Sequence, residues 1–366
     1  MVHLTIVNLK RSTRLLEYYP FLDGFRALAI GWVIIHHINY FFNLSPIFPS
    51  FIFDKFNHFA KVGVVGVDLF FVTSGFLISG LIFEDLDSKI RVKRFYLRRV
   101  FKILPQYILV VIAGIAFTLT LGSIQGIKII SYIFLFQNYI HPIASLGHLW
   151  SIAVEEHFYL IYPLMIQWVC VSNRSHKKRK IILLSIFLIL MVAIFFIRRY
   201  TFMAYPYNQL LLFQMSHLRF DALFMGCLIK LMEPFLKSLR YRFLPLVFFL
   251  FSGIFFYKYY VGYDPCRSFT YVWAYLASGF LLVSALCGFK PLIWATQNSF
   301  MRYIGRCSYA VYLWHFLILF ILRQYLKHPV GMLGFIVIFI SVMMAGILST
   351  MTIEKYFLNL RKKWVP

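Results

Sequence analysis

Acidic side chains are scarce in this sequence. Only 13 Asp and Glu stand against 37 Lys and Arg in 366 residues, and charged residues of both signs make up 14%. A water-soluble domain carries about 25%, so this chain has too few polar side chains to cover a soluble surface. Cysteine is sparse too. The five present (Cys170, Cys227, Cys266, Cys287 and Cys307) are odd in number and form no CxxC. That argues against a disulfide framework and against a metal site. Four of them lie in or beside apolar stretches, where a thiol packs as a small apolar group. No apolar segment ending in a small-residue cleavage site precedes the first long apolar run, so no cleaved leader is expected. Nor is there a polar stretch long enough to fold as a second, soluble domain.

Apolar residues are abundant, at 61%. They come in blocks long enough to cross a bilayer, which takes roughly 20 apolar residues. Ten such segments run over 27–43, 62–83, 103–121, 148–170, 181–197, 209–232, 243–261, 269–288, 303–325 and 330–351. The weaker segment 127–140, flanked by Gly126 and Pro142, is too short to cross and reads as re-entrant or interfacial. The expected fold is therefore an all-α, polytopic transmembrane bundle of ten full spans plus that one segment. It forms a single domain over 1–366. The longest outer connection is 44–61, whose aromatics suit the membrane surface.

The net charge of +24 would suggest nucleic acid in a soluble protein, but no nucleic-acid motif accompanies it. Its distribution fits a membrane instead. With the N-terminus inside, the inner segments hold 26 Lys and Arg and the outer ones nine. This agrees with the positive-inside rule and places both termini in the cytoplasm. Such basic inner loops attract anionic lipid headgroups.

Ionisable side chains within a span are costly and mark functional positions by default. Asp23-Gly24-Phe25-Arg26 leads, eleven residues after Arg26, to His37. Eleven residues are almost three helical turns, so Arg26 and His37 share a stripe and Asp23 lies close to it. His36 lies about 100° round and faces elsewhere. A second group, Gly66–Phe76, holds Asp68 and Ser74 among small residues that permit close helix approach. A third, His148–Tyr159, puts His148, Ser151, Glu155 and Tyr159 on one polar stripe, with Trp150 and Glu156 beside it. Adjacent carboxylates in an apolar span suit general acid–base work. A basic group, Arg94, Arg98, Arg99 and Lys102, stands just inside the membrane and suits phosphate binding. Arg219 and Asp221 begin a further span, and Ser308, Tyr312 and His315 share one helical face. Each has a blander reading, as packing, anchoring or a structural polar network.

Taken together and in order, Leu22–Arg26 with His37, Gly66–Phe76, Phe95-Tyr96-Leu97-Arg98-Arg99, Trp150–Tyr159, Arg219–Gly226 and Ile304–His315 resemble the acyltransferase type 3 family of membrane acyltransferases. The resemblance implies a ten- or eleven-helix enzyme. It would move an acetyl or related short acyl group from cytoplasmic acyl-CoA (acetyl-CoA as donor) to a hydroxyl of a surface or lipid-linked glycan. Lipopolysaccharide O-antigen is the first candidate acceptor, in a bacterial inner membrane. The family's Arg-x10-His pattern implies that His37 is catalytic, as general base or as acyl-accepting nucleophile. Asp68 or Glu155 would orient the ring, and Asp23 and Arg26 share its stripe. Arg94, Arg98, Arg99 and Lys102 would hold the CoA phosphates. The family's Arg-x-x-Arg falls on Arg99 and Lys102, and lysine keeps the charge without the bidentate fork. His36, Ser74, His148, Trp150, Ser151, Glu156, Tyr159, Arg219, Asp221 and His315 would support the site. Some relatives carry a further esterase-like domain that this chain, through Pro366, does not contain. The membrane domain or a partner would then complete the reaction. No metal is expected, and the sequence leaves the oligomeric state open. A transporter or flippase of lipid-linked sugars would use similar membrane carboxylates, but usually shows inverted repeats, which are not evident here.

Overall fold

The computed structural model describes residues 18–44, 50–83, 92–171, 175–239, 242–261, 268–326 and 330–364. The N-terminal basic residues through position 14, Arg174 and Cys266 lie outside the described residues. The helices are α1 (Pro20–Phe41), α2 (Ser50–Val62), α3 (Val65–Phe83), α4 (Val92–Leu121), α5 (Gly126–Ile133), α6 (Trp150–Val171) and α7 (His176–Ala204). They continue with α8 (Gln209–Leu212), α9 (Phe220–Lys237), α10 (Leu244–Val261), α11 (Ser268–Leu286) and α12 (Lys290–Gln297). The last three are α13 (Ser299–Tyr325), α14 (Met332–Ser349) and α15 (Lys355–Trp364).

Local chemistry sets several of these ends. Pro20 opens α1, where its missing N–H costs nothing. The Asn298 side chain caps α13 by accepting from the Met301 N–H at 2.9 Å. One π-helical turn, Thr350–Glu354, joins α14 to α15.

The chain is an all-α, polytopic membrane bundle. Among the described residues, seven helical stretches are long and apolar enough to cross a bilayer: Pro20–Phe41, Ile52–Phe83, Val92–Leu121, Lys177–Ala204, Ser268–Leu286, Ser299–Tyr325 and Met332–Trp364. That is fewer than the ten expected. The shortfall has a physical cause: α6 and α9 carry polar and charged residues of the interior, which lower their hydropathy, and α10 is short. Residues 50–62 differ from expectation as well, forming the amphipathic helix α2 where a loop was read. Segment 127–140 becomes α5 followed by a 3-10 turn at Gln137–Tyr139. At 1.5 Å per residue α5 reaches only about 12 Å. The predicted span 209–232 is likewise broken, since α9 starts only at Phe220.

Helix α1 packs mainly against α13 and α3, α3 against α9, α10 against α11, and α13 against α14. The α3–α9 contact relies on two glycines. A Cβ on Gly226 would lie 2.0 Å from the Val72 carbonyl oxygen, and one on Gly75 would lie 2.0 Å from that of Leu223. Close backbone approach of this kind drives helix association where lipid removes the hydrophobic incentive. The outer faces are apolar, as with Ile189, Val192 and Phe196 on α7, and face lipid. The polar residues turn inward, where α1, α3, α4, α6, α9 and α13 surround them.

Candidate active site

Three histidines from separate elements converge. His37 lies on α1, His315 on α13, and His148 in the 3-10 turn Ala144–Leu149 that feeds α6. Nδ1 of His37 and Nε2 of His315 are 3.1 Å apart. Nδ1 of His315 is 2.5 Å from the Tyr312 carbonyl oxygen. His148 places Nε2 3.0 Å from the Leu313 carbonyl oxygen, and its ring lies 4.9 Å from that of His315. Phe316 packs the group, stacked on His148 and edge-on to His37. His148 and His315 are buried, while His37 retains partial exposure. His36, as its helical angle predicts, turns away and donates from Nδ1 to the Ala60 carbonyl at 3.1 Å.

A polar seam leads inward from this cluster. The Tyr312 hydroxyl donates to the His148 carbonyl at 3.0 Å and lies 2.7 Å from the Ser151 hydroxyl. Ser151 and Tyr312 also line a partly open pocket of about 50 Å³ whose wall includes Arg26, Ser74, Glu155, Ser308 and Tyr309. Ser308 is fully buried there, and its hydroxyl has no hydrogen-bond partner among the described residues. Glu155 accepts from Ser74 at 3.2 Å and from the Tyr159 hydroxyl at 3.0 Å. The Arg99 guanidinium lies over the Tyr159 ring, 4.1 Å from its centroid, a cation–π contact. Beyond it, Lys102 is in electrostatic reach of Arg26, Arg99, Glu354 and Arg361. Arg94 and Arg98 share this end of α4, with Arg98 exposed. Glu156 neighbours Glu155 and is in electrostatic reach of Arg99.

The remaining site candidates sit elsewhere. Asp68 is paired with Arg219 at 2.9 Å, and Asp221 with Arg198 at 2.8 Å. Both pairs are buried. Arg219 lies over four aromatic rings, those of Phe71, Trp150, Phe213 and Tyr271. Trp150 is thus part of this cage. Asp23 accepts from the Tyr18 hydroxyl at 2.6 Å, fourteen residues and about 21 Å of helix below His37. Asp68 and Glu155 are expected to orient His37; here Asp68 bonds Arg219, Glu155 bonds Ser74 and Tyr159, and the His37 ring meets His315.

Two participants escaped the sequence reading. Arg198 is fully buried and bonds Asp221 and the Leu218 carbonyl. Glu354 is buried at the π turn, facing Lys102 and Arg26. Its one available signal was isolation, since no other Asp or Glu follows Asp264. Among the described residues no group of His, Cys, Asp and Glu has the arrangement of a metal site.

The chain is thus a helical membrane bundle with an interior histidine cluster and a polar seam running from it to a basic end. Residues 19–354 match the family described as acyltransferase domain, and the chain belongs to that family. Its relatives include a Staphylococcus aureus (strain MRSA252) protein provisionally named an O-acetyltransferase, 27% identical over 96% of this chain and 60% of that protein. The O-acetyltransferase OatA of Staphylococcus aureus (strain NCTC 8325 / PS 47) is 26% identical over 95% of this chain and 58% of its own length. The peptidoglycan O-acetyltransferase OatA of Listeria monocytogenes serovar 1/2a is 30% identical over 44% of this chain and 27% of its own. The chain thus spans about 60% of the length of the curated relatives it matches. No solved structure matches. The family supports a membrane-embedded O-acyltransferase role.

Proposed function

We propose that the chain transfers an acetyl or related short acyl group from cytoplasmic acyl-CoA to a hydroxyl of a cell-envelope glycan, with His37 as general base. The polar seam carries this reading: Arg99 and Lys102 at its basic end, the Ser74–Glu155–Ser308 pocket in the middle, and the histidines beyond Tyr312. The basic residues, with Arg94 and Arg98, would hold the CoA phosphates. The pocket would take the pantetheine arm, where the unpartnered Ser308 hydroxyl suits an amide. The His37 ring would take the proton of the acceptor hydroxyl as its oxygen attacks the thioester carbonyl. The C–S bond then breaks, and the CoA thiolate leaves with that proton as the free thiol.

The acceptor class rests on the relatives' names and on the family resemblance. The Listeria relative is named for peptidoglycan, and lipopolysaccharide O-antigen is the first acceptor that the family resemblance implies. Mass spectrometry of both glycans from cells with and without the gene decides between them. We also infer ten crossings, with α6, α9 and α10 joining the seven apolar stretches, and both termini in the cytoplasm of a bacterial inner membrane. Reporter fusions at each loop test this. We read 1–366 as one domain. The activity itself is tested with the full chain in nanodiscs and radiolabelled acetyl-CoA. Release or transfer of acetyl by wild type and its loss in His37→Ala are expected. Undiminished turnover in His37→Ala would sink the assignment.

A further inference from the structure

The histidine cluster fixes which nitrogen of His37 is basic. A carbonyl oxygen only accepts, so the 2.5 Å approach of His315 Nδ1 to the Tyr312 carbonyl requires the proton on that nitrogen. A neutral imidazole has a single N–H, which leaves His315 Nε2 bare. It faces His37 Nδ1 at 3.1 Å. Two bare nitrogens at that distance would repel, so His37 Nδ1 carries the proton. The basic lone pair of His37 is therefore on Nε2, at the end of the ring away from its own helix.

We propose that His315 is the positioning residue that holds His37 in this tautomer, with the Tyr312 carbonyl terminating the relay. The proposal rests on His37 as the reacting base and adds how the ring is oriented without a carboxylate. Nε2 takes the acceptor's proton. The resulting imidazolium donates its Nδ1–H to His315 Nε2, which spreads the positive charge over two rings. The proton then leaves with the CoA thiolate, and the relay is unchanged. His315 is itself held on both sides. Its ring lies 4.9 Å from that of His148, and the Tyr312 hydroxyl braces the His148 carbonyl. Tyr312 thus serves twice, orienting one histidine by its carbonyl and another by its hydroxyl. The arrangement also accounts for the Asp68 carboxylate being spent on Arg219 rather than on an imidazole.

The test has two arms on the full chain in nanodiscs. The first needs no change at the relay: nitrogen-15 correlation spectra of histidine-labelled wild type, with the His37 signals assigned by their absence in His37→Ala. Protonated Nδ1 and bare Nε2 on neutral His37 are expected, and the reverse tautomer overturns the proposal. The second arm compares His315→Gln, whose amide oxygen can accept at the place of Nε2, with His315→Leu, which fills the space without an acceptor. With acetyl-CoA as donor, kcat should fall about 100-fold in the leucine variant, with KM for acetyl-CoA within about twofold, and glutamine should recover about tenfold of the loss. Glutamine no better than leucine, in folded protein, overturns the proposal. If the leucine variant does not fold, the spectrum of the wild type still decides. Activity retained in His37→Ala would reject the underlying base assignment, whereas an inactive His37→Ala with the reverse tautomer would reject only the role of His315.

Discussion

Two buried polar regions stand side by side in this bundle, and they are built on opposite terms. In the first, Asp68 is paired with Arg219 and Asp221 with Arg198, with aromatic rings stacked round Arg219. Every charge there has an opposite charge against it. In the second, His37, His148 and His315 meet ring against ring, beside a pocket that holds a serine hydroxyl without a hydrogen-bond partner among the described residues. A region whose charges satisfy one another has its chemistry used up in holding helices together. A region with bare imidazole nitrogens and an open pocket has capacity left for a ligand. The distinction sorts the intramembrane ionisable residues, all of which look equally functional when read only by their cost.

The sharpest way to break the comparison is to remove one residue from each region. His37→Ala should abolish acyl transfer, by about 100-fold or more if the ring is the base, while the protein remains folded and monodisperse. His36→Ala, whose ring bonds the Ala60 carbonyl rather than His315, should stay active and serves as the control. Turnover of labelled acetyl-CoA in nanodiscs reads both. Arg219→Leu should act in the other currency, stability. Removing one partner of a buried pair strands the other and costs about 3–5 kcal/mol. The double variant Asp68→Leu/Arg219→Leu should be less damaged than Arg219→Leu alone, because neither charge is then stranded. Thermal unfolding of detergent-solubilised protein measures this. A double variant worse than the single would show that the pair does more than satisfy itself.

The α3–α9 seam beside the paired region offers the next test. Gly226→Leu places a side chain where even a Cβ would lie 2.0 Å from the Val72 carbonyl. The helices must then part, and the Asp68–Arg219 pair, which joins α3 to the residue preceding α9, should loosen with them. A drop in unfolding temperature comparable to that of Arg219→Leu is expected, whereas Gly253→Leu, with open space at its Cβ, should show none.

These contrasts explain how far the sequence could be read. The apolar blocks were legible because length and hydropathy are properties of contiguous residues, and helical angles correctly separated His36 from His37. Partners distant in sequence were not legible. Nothing in the neighbourhood of Asp68 says that it meets Arg219, 151 residues away, or that His37 meets His315, 278 residues away. The sequence therefore marks polar residues within spans but not which of them meet, and carboxylates, the usual partners of imidazole, are the expected orienting groups. Hydropathy alone registers seven of the expected spans among the described residues for a related reason. Helices that build the interior, such as α6 with Glu155 and Glu156, look less apolar because they face one another rather than lipid.

The smallest expected effects lie at the basic end, where Arg99 and Lys102 are proposed to meet CoA phosphates. Arg99→Ala removes a guanidinium held over Tyr159 and should raise KM for acetyl-CoA about tenfold with kcat little changed, the pattern of a group that binds donor and transition state alike. Lys102→Arg should do least. It keeps the positive charge and restores the fork that the family pattern places there, so a change in KM below about threefold is expected. Its direction is informative because two acceptors compete for the fork. Glu354 is in electrostatic reach of Lys102 and has one carboxylate oxygen without a hydrogen-bond partner among the described residues. A lower KM means that the new guanidinium reaches phosphate. A higher one means that Glu354 has captured it, and Lys102→Arg combined with Glu354→Gln should then bring KM back down. A KM unmoved by Lys102→Met as well would remove Lys102 from the donor site and leave it as the counter-charge of Glu354.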